Sequence, residues 1–145
     1  MIQVEIADKQ KQLRLSRKRL RQVVSHVLHA EGVDSAEVGI ALVSDHAIQA
    51  INETYLRHVG PTDVITFPYS TPTDRPLSGE IALSTETALR EAARRGHPPE
   101  NEVLLYLVHG LLHLCGYDDH EPADRRVMRR QERKYLLGLE IDVKR

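Results

Sequence analysis

Apolar and polar residues alternate in several short segments of the chain, a pattern typical of β-strands that are half-buried in a sheet. Residues 2–6 and 37–43 show this alternation, and residues 62–69 and 79–83 are rich in β-branched and apolar residues. The last two segments are expected to pair as a hairpin around an exposed loop at residues 68–76, which contains three prolines. The pattern therefore predicts four strands.

Between and after these strands, apolar residues recur every three to four positions, which is the spacing of an amphipathic helix. Helices are predicted over residues 16–30, 44–56, 84–95, 100–114 and 122–137. The fourth is apolar on nearly all sides, so we expect it to be central and buried. The chain is thus predicted to form a single α+β domain over residues 1–145, in which a small mixed four-stranded sheet packs against about five helices.

Composition narrows the class of protein. The 145 residues include 20 Lys and Arg against 21 Asp and Glu, so a polyanion would have to be bound by local patches rather than by the overall charge. The longest apolar run, residues 103–108, is far shorter than the ~20 residues that cross a bilayer. The first residues lack the layout of a secretion signal, and the single cysteine, Cys115, excludes an internal disulfide framework. We therefore expect a cytoplasmic protein with no membrane partner.

Two histidines on the predicted buried helix are the strongest candidates for chemistry. His109 and His113 are four residues apart, which places both imidazoles on one face, as in helices that offer two nitrogens to one metal ion. Gly116 then ends the helix, so that a third ligand from residues 117–120 can fold back over the pair. Three protein ligands and one open position are the arrangement of catalytic zinc sites. Ordinary surface or core histidines also occur at this spacing, but two buried unpaired imidazoles would cost about 1–3 kcal/mol each.

The residue after the first histidine weighs against peptide hydrolysis. A metalloprotease helix carries a glutamate there as general base, whereas this chain has Gly110. A peptidase is therefore only a minor hypothesis.

The segment His109–Asp118 closely resembles the signature of the YbeY family of metal-dependent endoribonucleases. Other parts of the chain resemble further blocks of that family, and together they cover about residues 40–135. These parts are Asn52, Tyr55, Pro61–Pro68, Gly79–Ile81, Gly96–His97, Glu121–Pro122, Met128 and Glu132.

The resemblance implies an enzyme of the bacterial cytoplasm that cleaves single-stranded RNA. It implies a role in maturing the 3′ end of 16S ribosomal RNA and in ribosome quality control. The cofactor implied is one zinc ion, held by three residues on and after the motif helix. The partners implied are ribosomal RNA and the ribosome with its associated proteins.

The chain departs from the family pattern at the third zinc ligand. The family has its third histidine six residues after the second, and here that position is Asp119, whereas His120 lies one residue later. Asp119 can replace the histidine, because a carboxylate oxygen binds zinc at about 2.0–2.2 Å. Alternatively, the turn bulges by one residue and His120 coordinates. We favour Asp119, because Gly116 keeps its family distance from His113.

A second departure concerns a basic residue that the family uses in RNA cleavage. The family usually carries an arginine directly after the aromatic residue of the upstream block, but here Leu56 takes that position and Arg57 and His58 follow. Arg57 is a candidate for neutralising a phosphate oxygen. His58 is a candidate for phosphate contact or acid–base catalysis, because its ordinary pKa is about 6.5. A solvated helix end would explain both residues equally well.

Three further residues are candidates for supporting the cleft. Asp118 either orients a metal ligand or caps the turn, and capping is the favoured interpretation. Thr62 and Asp63 are expected beside the metal, although Asp63 suits a turn equally well. The arginine runs at residues 94–95 and 125–130 are candidates for phosphate contact, but their interleaved acidic residues also suit solvated helix faces.

The sequence leaves three functions open. The favoured one is a zinc-dependent endoribonuclease. The second is a zinc hydrolase that acts on another substrate, since the ligand geometry would be shared. The third is a ribosome-associated factor in which zinc only stabilises the fold.

Overall fold

Four strands form one mixed sheet in the order β1-β2-β4-β3. The structure is a computed structural model that describes residues 1–56 and 63–144. Its strands are β1 (Ile2–Asp8), β2 (Ala36–Val43), β3 (Val64–Pro68) and β4 (Leu77–Ser84). β1, β2 and β4 are parallel, whereas β3 runs antiparallel to β4 at the edge of the sheet. The pairing of β3 with β4 confirms the predicted hairpin.

Five α-helices accompany the sheet, which confirms the predicted α+β class. They are α1 (Arg17–Ala30), α2 (Asp45–Ile51), α3 (Thr85–Arg95), α4 (Pro99–Leu114) and α5 (Pro122–Gly138). Serine side chains cap the first three by accepting hydrogen bonds from backbone N–H groups that have no partner within the helix. In the described part of the chain, no helix is both long and apolar enough to span a membrane.

The second helix differs from its prediction. A single helix was expected to about Leu56, but α2 ends at Ile51 and the chain continues in a π-helical turn over Asn52–Leu56. The spacing of apolar residues in this short segment did not reveal the change from α-helical to π-helical turns.

The helices cover the two faces of the sheet unequally. Apolar side chains of all three parallel strands join residues of α1, α3, α4 and α5 in the main core. On the opposite face, Ile48 of α2 packs with Val43, Ile65 and Ala82 in a smaller cluster. The site described next lies on the side of the main core.

Helix α4 is the centre of the domain, as its apolar pattern predicted. It contacts α1, α3, α5 and the strands β3 and β4. Gly110 allows this close approach, because a Cβ atom there would lie 2.8 Å from Cγ2 of Ile81 on β4. A side chain at this position would clash with Ile81. Gly110 therefore sets the distance between helix α4 and the sheet, in addition to occupying the position of the peptidase glutamate.

Candidate metal centre and flanking cavities

The two motif histidines of α4 face each other across one helical turn. The Nε2 atoms of His109 and His113 are 3.1 Å apart, and the two rings are nearly perpendicular. The four-residue spacing alone brings the rings to one face of the helix. Both side chains are about three-quarters buried, so their nitrogens meet in a partly enclosed space.

The turn after α4 brings an acidic side chain to the same point. Gly116 has a φ of 103°, in the left-handed region that favours glycine, and the chain reverses there. As a result, Oδ2 of Asp119 lies 3.2 Å from Nε2 of His109 and 3.4 Å from Nε2 of His113. The three residues form a group able to hold one metal ion.

The donor atoms fit a tetrahedral metal ion. Two ligands bound at about 2.0–2.1 Å to such an ion lie about 3.3–3.5 Å apart. The three separations here are 3.1, 3.2 and 3.4 Å. Two imidazole nitrogens and one carboxylate oxygen are also a donor set that catalytic zinc sites use. Three donors of this kind leave one coordination position free.

The other ring nitrogen of each histidine is held by a separate partner. Nδ1 of His109 lies 2.5 Å from Oε2 of Glu132, a residue of α5 that is 3% exposed. Nδ1 of His113 lies 3.0 Å from the backbone oxygen of Tyr117. Both partners are hydrogen-bond acceptors, so each ring donates from Nδ1–H and turns an unprotonated Nε2 towards Asp119.

Glu132 was not recognised as a site residue in the sequence, where it served only as part of the family resemblance. The sequence feature that could have identified it is an acidic residue on the apolar face of an amphipathic helix, between Met128 and Tyr135. A buried carboxylate needs a partner, and His109 is that partner.

The environment of His109 also changes its acidity in the metal-free protein. Burial alone would lower the pKa of His109, but the hydrogen bond and the negative charge of Glu132 outweigh burial. The pKa therefore lies above the ordinary histidine value.

The two alternatives for the third ligand occupy different positions. His120 is 84% exposed, and its Nε2 lies 3.5 Å from Oδ1 of Asp118 rather than beside the helix histidines. With Asp118 and Asp119 it forms a separate, more exposed group. Asp118 accepts hydrogen bonds from the backbone N–H groups of Asp119 and His120, and these bonds lower the pKa of its carboxyl group. Asp118 therefore caps the turn.

The upstream candidates are only partly described. Asp63 lies beside the centre, where Oδ1 accepts a hydrogen bond from the backbone N–H of Val64 and the backbone oxygen accepts one from Ser84. Arg57, His58 and Thr62 lie outside the described residues.

Two cavities meet at the candidate metal centre, and His109 and Asp119 line both. The first, here called the β3 cavity, has a volume of about 510 Å³ and runs along the edge strand towards Pro68. The second, here called the arginine cleft, has a volume of about 400 Å³ and lies between the end of α3 and the first half of α5. Its basic residues are Arg94, Arg95, Arg125 and Arg129.

Comparison with known proteins places the chain in a family. The family described as Endoribonuclease YbeY matches residues 5–140. The chain belongs to the YbeY family. A YbeY endoribonuclease of Rhodopirellula baltica is 40% identical over 134 residues, which are 89% of this chain and 68% of that protein. The YbeY endoribonuclease of Carboxydothermus hydrogenoformans is 41% identical over 123 residues, which are 83% of this chain and 85% of that one.

A solved structure agrees with this placement. The solution structure of a Thermotoga maritima protein superposes with a TM-score of 0.66 at 25% identity, covering 96% of this chain and 89% of that one. The resemblance seen in the sequence motifs is thus confirmed. The YbeY signature segment, His109–Asp118, supplies two of the three donor atoms and the turn that brings in the third.

Proposed function

We propose that this protein is a zinc-dependent endoribonuclease that cleaves single-stranded RNA. The main observation behind the proposal is that Nε2 of His109, Nε2 of His113 and Oδ2 of Asp119 lie 3.1–3.4 Å apart, which suits a tetrahedral metal ion. Membership of the endoribonuclease family supports RNA as the substrate class. In this proposal residues 1–145 act as one hydrolase domain, and Asp119 rather than His120 is the third ligand.

Zinc would supply a Lewis acid that stabilises negative charge on a phosphate and makes a nearby water more acidic. Glu132 and the Tyr117 backbone oxygen keep the two rings aimed at the ion, and the charge of Glu132 makes His109 a stronger donor. Two cavities open onto the centre and leave room for a substrate.

Other residues are assigned to the substrate. Arg57 is proposed to neutralise a phosphate oxygen, and His58 to contact phosphate or transfer a proton. Asp63 and Thr62 are proposed to support the cleft wall beside β3. Asp63 lines both cavities, which supports its place in the wall.

The biological setting follows from the family resemblance. We propose that the substrate is ribosomal RNA, in maturation of the 16S 3′ end and in ribosome quality control. The ribosome and its associated proteins would be partners, in the cytoplasm.

The close contact of Gly110 with Ile81 weighs against a peptidase. A glutamate at position 110 has no space in this packing, so the zinc-peptidase arrangement of base and ligands is not available on α4.

Cleavage of a labelled single-stranded RNA by zinc-loaded protein tests the proposal. His113→Ala should abolish cleavage and lower zinc content while circular dichroism shows an intact fold. A matched control is His46→Ala, since His46 lies on α2, away from the centre. Equal cleavage by wild type and His113→Ala would contradict the proposal. Hydrolysis of peptide or ester substrates without RNA cleavage would favour a different hydrolase, and zinc-dependent stability without any hydrolysis would favour a structural role.

A further inference from the structure

The arginine cleft opens directly onto the metal centre but is not explained by metal binding. His109 and Asp119 form one end of the cleft. Its volume of about 400 Å³ is in the range of small-ligand sites, which is about 300–1,000 Å³. The side chains of its walls indicate which kind of ligand it would bind.

One wall of the cleft is held in place by a buried ion-pair network. Nη1 of Arg95 lies 3.1 Å from Oε2 of Glu102, which has no exposed surface. The other oxygen of Glu102 lies 2.5 Å from Nε2 of His97, whose Nδ1 accepts a hydrogen bond from the backbone of Lys144. Because both oxygens of Glu102 are engaged, the guanidinium of Arg95 is fixed at the cleft wall before any ligand binds.

A hydroxyl without a partner lies beside this network. Tyr106 lines the cleft and is 4% exposed, and among the described residues its hydroxyl has no hydrogen-bond partner. Burial raises the pKa of Tyr106 most, and the charge of Glu102 and a contact between the two side chains add to it, so the hydroxyl keeps its proton. That contact falls short of hydrogen-bond geometry, and the hydroxyl remains a neutral donor or acceptor for a ligand. A buried hydroxyl without a partner is unfavourable, and a ligand oxygen that accepts its hydrogen bond would remove that cost.

The opposite wall carries two arginines that form no ion pair in the described part of the chain. Arg125 and Arg129 lie four residues apart on α5, so both side chains are on one face of the helix. Neither forms an ion pair within residues 1–56 and 63–144. Arg125 donates one hydrogen bond to the backbone oxygen of His120, which leaves its other N–H groups available.

Three carboxylates, those of Asp63, Asp119 and Glu132, also line the cleft, and its four arginines outnumber them. Asp119 and Glu132 both contact the ring of His109. Uncompensated arginines, a fixed guanidinium and an unpartnered hydroxyl are the groups that bind a phosphodiester and its neighbouring oxygens.

We propose that the arginine cleft binds the nucleotide next to the scissile bond of an RNA strand. Arg125 and Arg129 contact its phosphate, and the Tyr106 hydroxyl donates a hydrogen bond to an oxygen of the same nucleotide. This assignment rests on the proposed cleavage of RNA at the adjacent metal centre. It makes Arg125, Arg129 and Tyr106 substrate-binding residues.

Two double variants of α5 provide the test. Arg125→Gln with Arg129→Gln removes the two cleft charges, and glutamine keeps an N–H donor for the backbone oxygen of His120. Arg126→Gln with Arg130→Gln removes two charges from exposed positions of the same helix that do not line the cleft. Both variants change the net charge equally, so only the location of the charge differs.

Steady-state cleavage of a labelled single-stranded oligoribonucleotide by the zinc-loaded proteins gives the readout. The cleft variant should raise KM about ten-fold or more with unchanged zinc content, because charge-assisted hydrogen bonds to the phosphate can no longer form. The slope of log KM against log salt concentration should also be shallower in this variant, by about 0.7 for each phosphate that the protein no longer neutralises. The control variant should stay within about two-fold of wild type, because exposed charges away from the bound strand are largely screened.

Tyr106→Phe gives an independent test. KM should rise several-fold while kcat, zinc content and thermal midpoint stay unchanged, because the hydroxyl forms no well-aligned hydrogen bond in the free protein. An unchanged KM would remove Tyr106 from the site.

The outcomes separate the two proposals. Equal KM values in the two double variants, or loss of zinc from the cleft variant, would overturn the cleft assignment alone. Absence of RNA cleavage by the wild-type protein would overturn the proposed function, and the cleft assignment with it.

Discussion

Replacement of Glu132 by glutamine tests whether a residue that touches no metal controls the metal centre. Glu132 lies on α5 and places its carboxylate 2.5 Å from Nδ1 of His109. Glutamine has nearly the same size and can still accept the hydrogen bond through its amide oxygen. The substitution therefore removes the negative charge with little change in packing.

The expected loss follows from the position of the carboxylate. Glu132 is 3% exposed, so water screens its charge only weakly. Loss of such an outer partner typically lowers metal affinity about 10–100-fold, or about 1.4–2.8 kcal/mol. Because glutamine keeps the acceptor, we expect about ten-fold for Glu132→Gln and a loss nearer to 100-fold for Glu132→Ala, which also removes the acceptor.

Competition with a chromophoric zinc chelator at neutral pH measures these affinities. Glu121→Gln is the matched control, because Glu121 is an exposed residue just before α5 and the substitution changes the net charge equally. Circular dichroism should show the same helix content in all variants. If Glu132→Gln binds zinc as tightly as Glu121→Gln, the role assigned to the buried carboxylate is wrong.

Three further predictions follow from the same site. Asp119→Asn should weaken zinc binding by at least about ten-fold and His120→Ala by less than about two-fold, as chelator competition can measure; the reverse order would make His120 the ligand. Gly110→Ala should lower the free energy of unfolding by about 1–3 kcal/mol in urea titrations, because its Cβ would lie 2.8 Å from Ile81 Cγ2, and unchanged stability would contradict this packing. In metal-free protein the raised pKa of His109 means that its pairing with Glu132 stabilises the fold fully below about pH 6.5 and less as pH rises through the raised value. The stability difference between wild type and Glu132→Gln should therefore shrink as pH rises from about 6.5 through the raised pKa of His109, and growth of that difference would refute the pairing.

The features that the sequence predicted best are those set by local geometry. The four-residue spacing of His109 and His113 fixes their shared face in any α-helix, so the pair was found without knowledge of the fold. The apolar run around them likewise identified α4 as the buried helix. The alternation of apolar residues in the strands predicted the sheet for the same reason.

Features that depend on a turn, or on packing between residues distant in the sequence, were harder to predict. The choice between Asp119 and His120 depends on the backbone path after Gly116, which spacing alone leaves open. Glu132 meets His109 only because α5 packs against α4, and the two residues are 23 positions apart. The arginine cleft also arises from packing, since α3 and α5 are distant in sequence.

The meeting of two cavities at one set of ligands has a consequence for where a polymer is cut. A pocket closed at one end would seat a strand terminus and trim residues from it. Here the β3 cavity and the arginine cleft are two separate openings that share His109 and Asp119, so these residues do not lie at the end of a single pocket. Two openings at one group of donor atoms suit cleavage of a polymer at an interior bond.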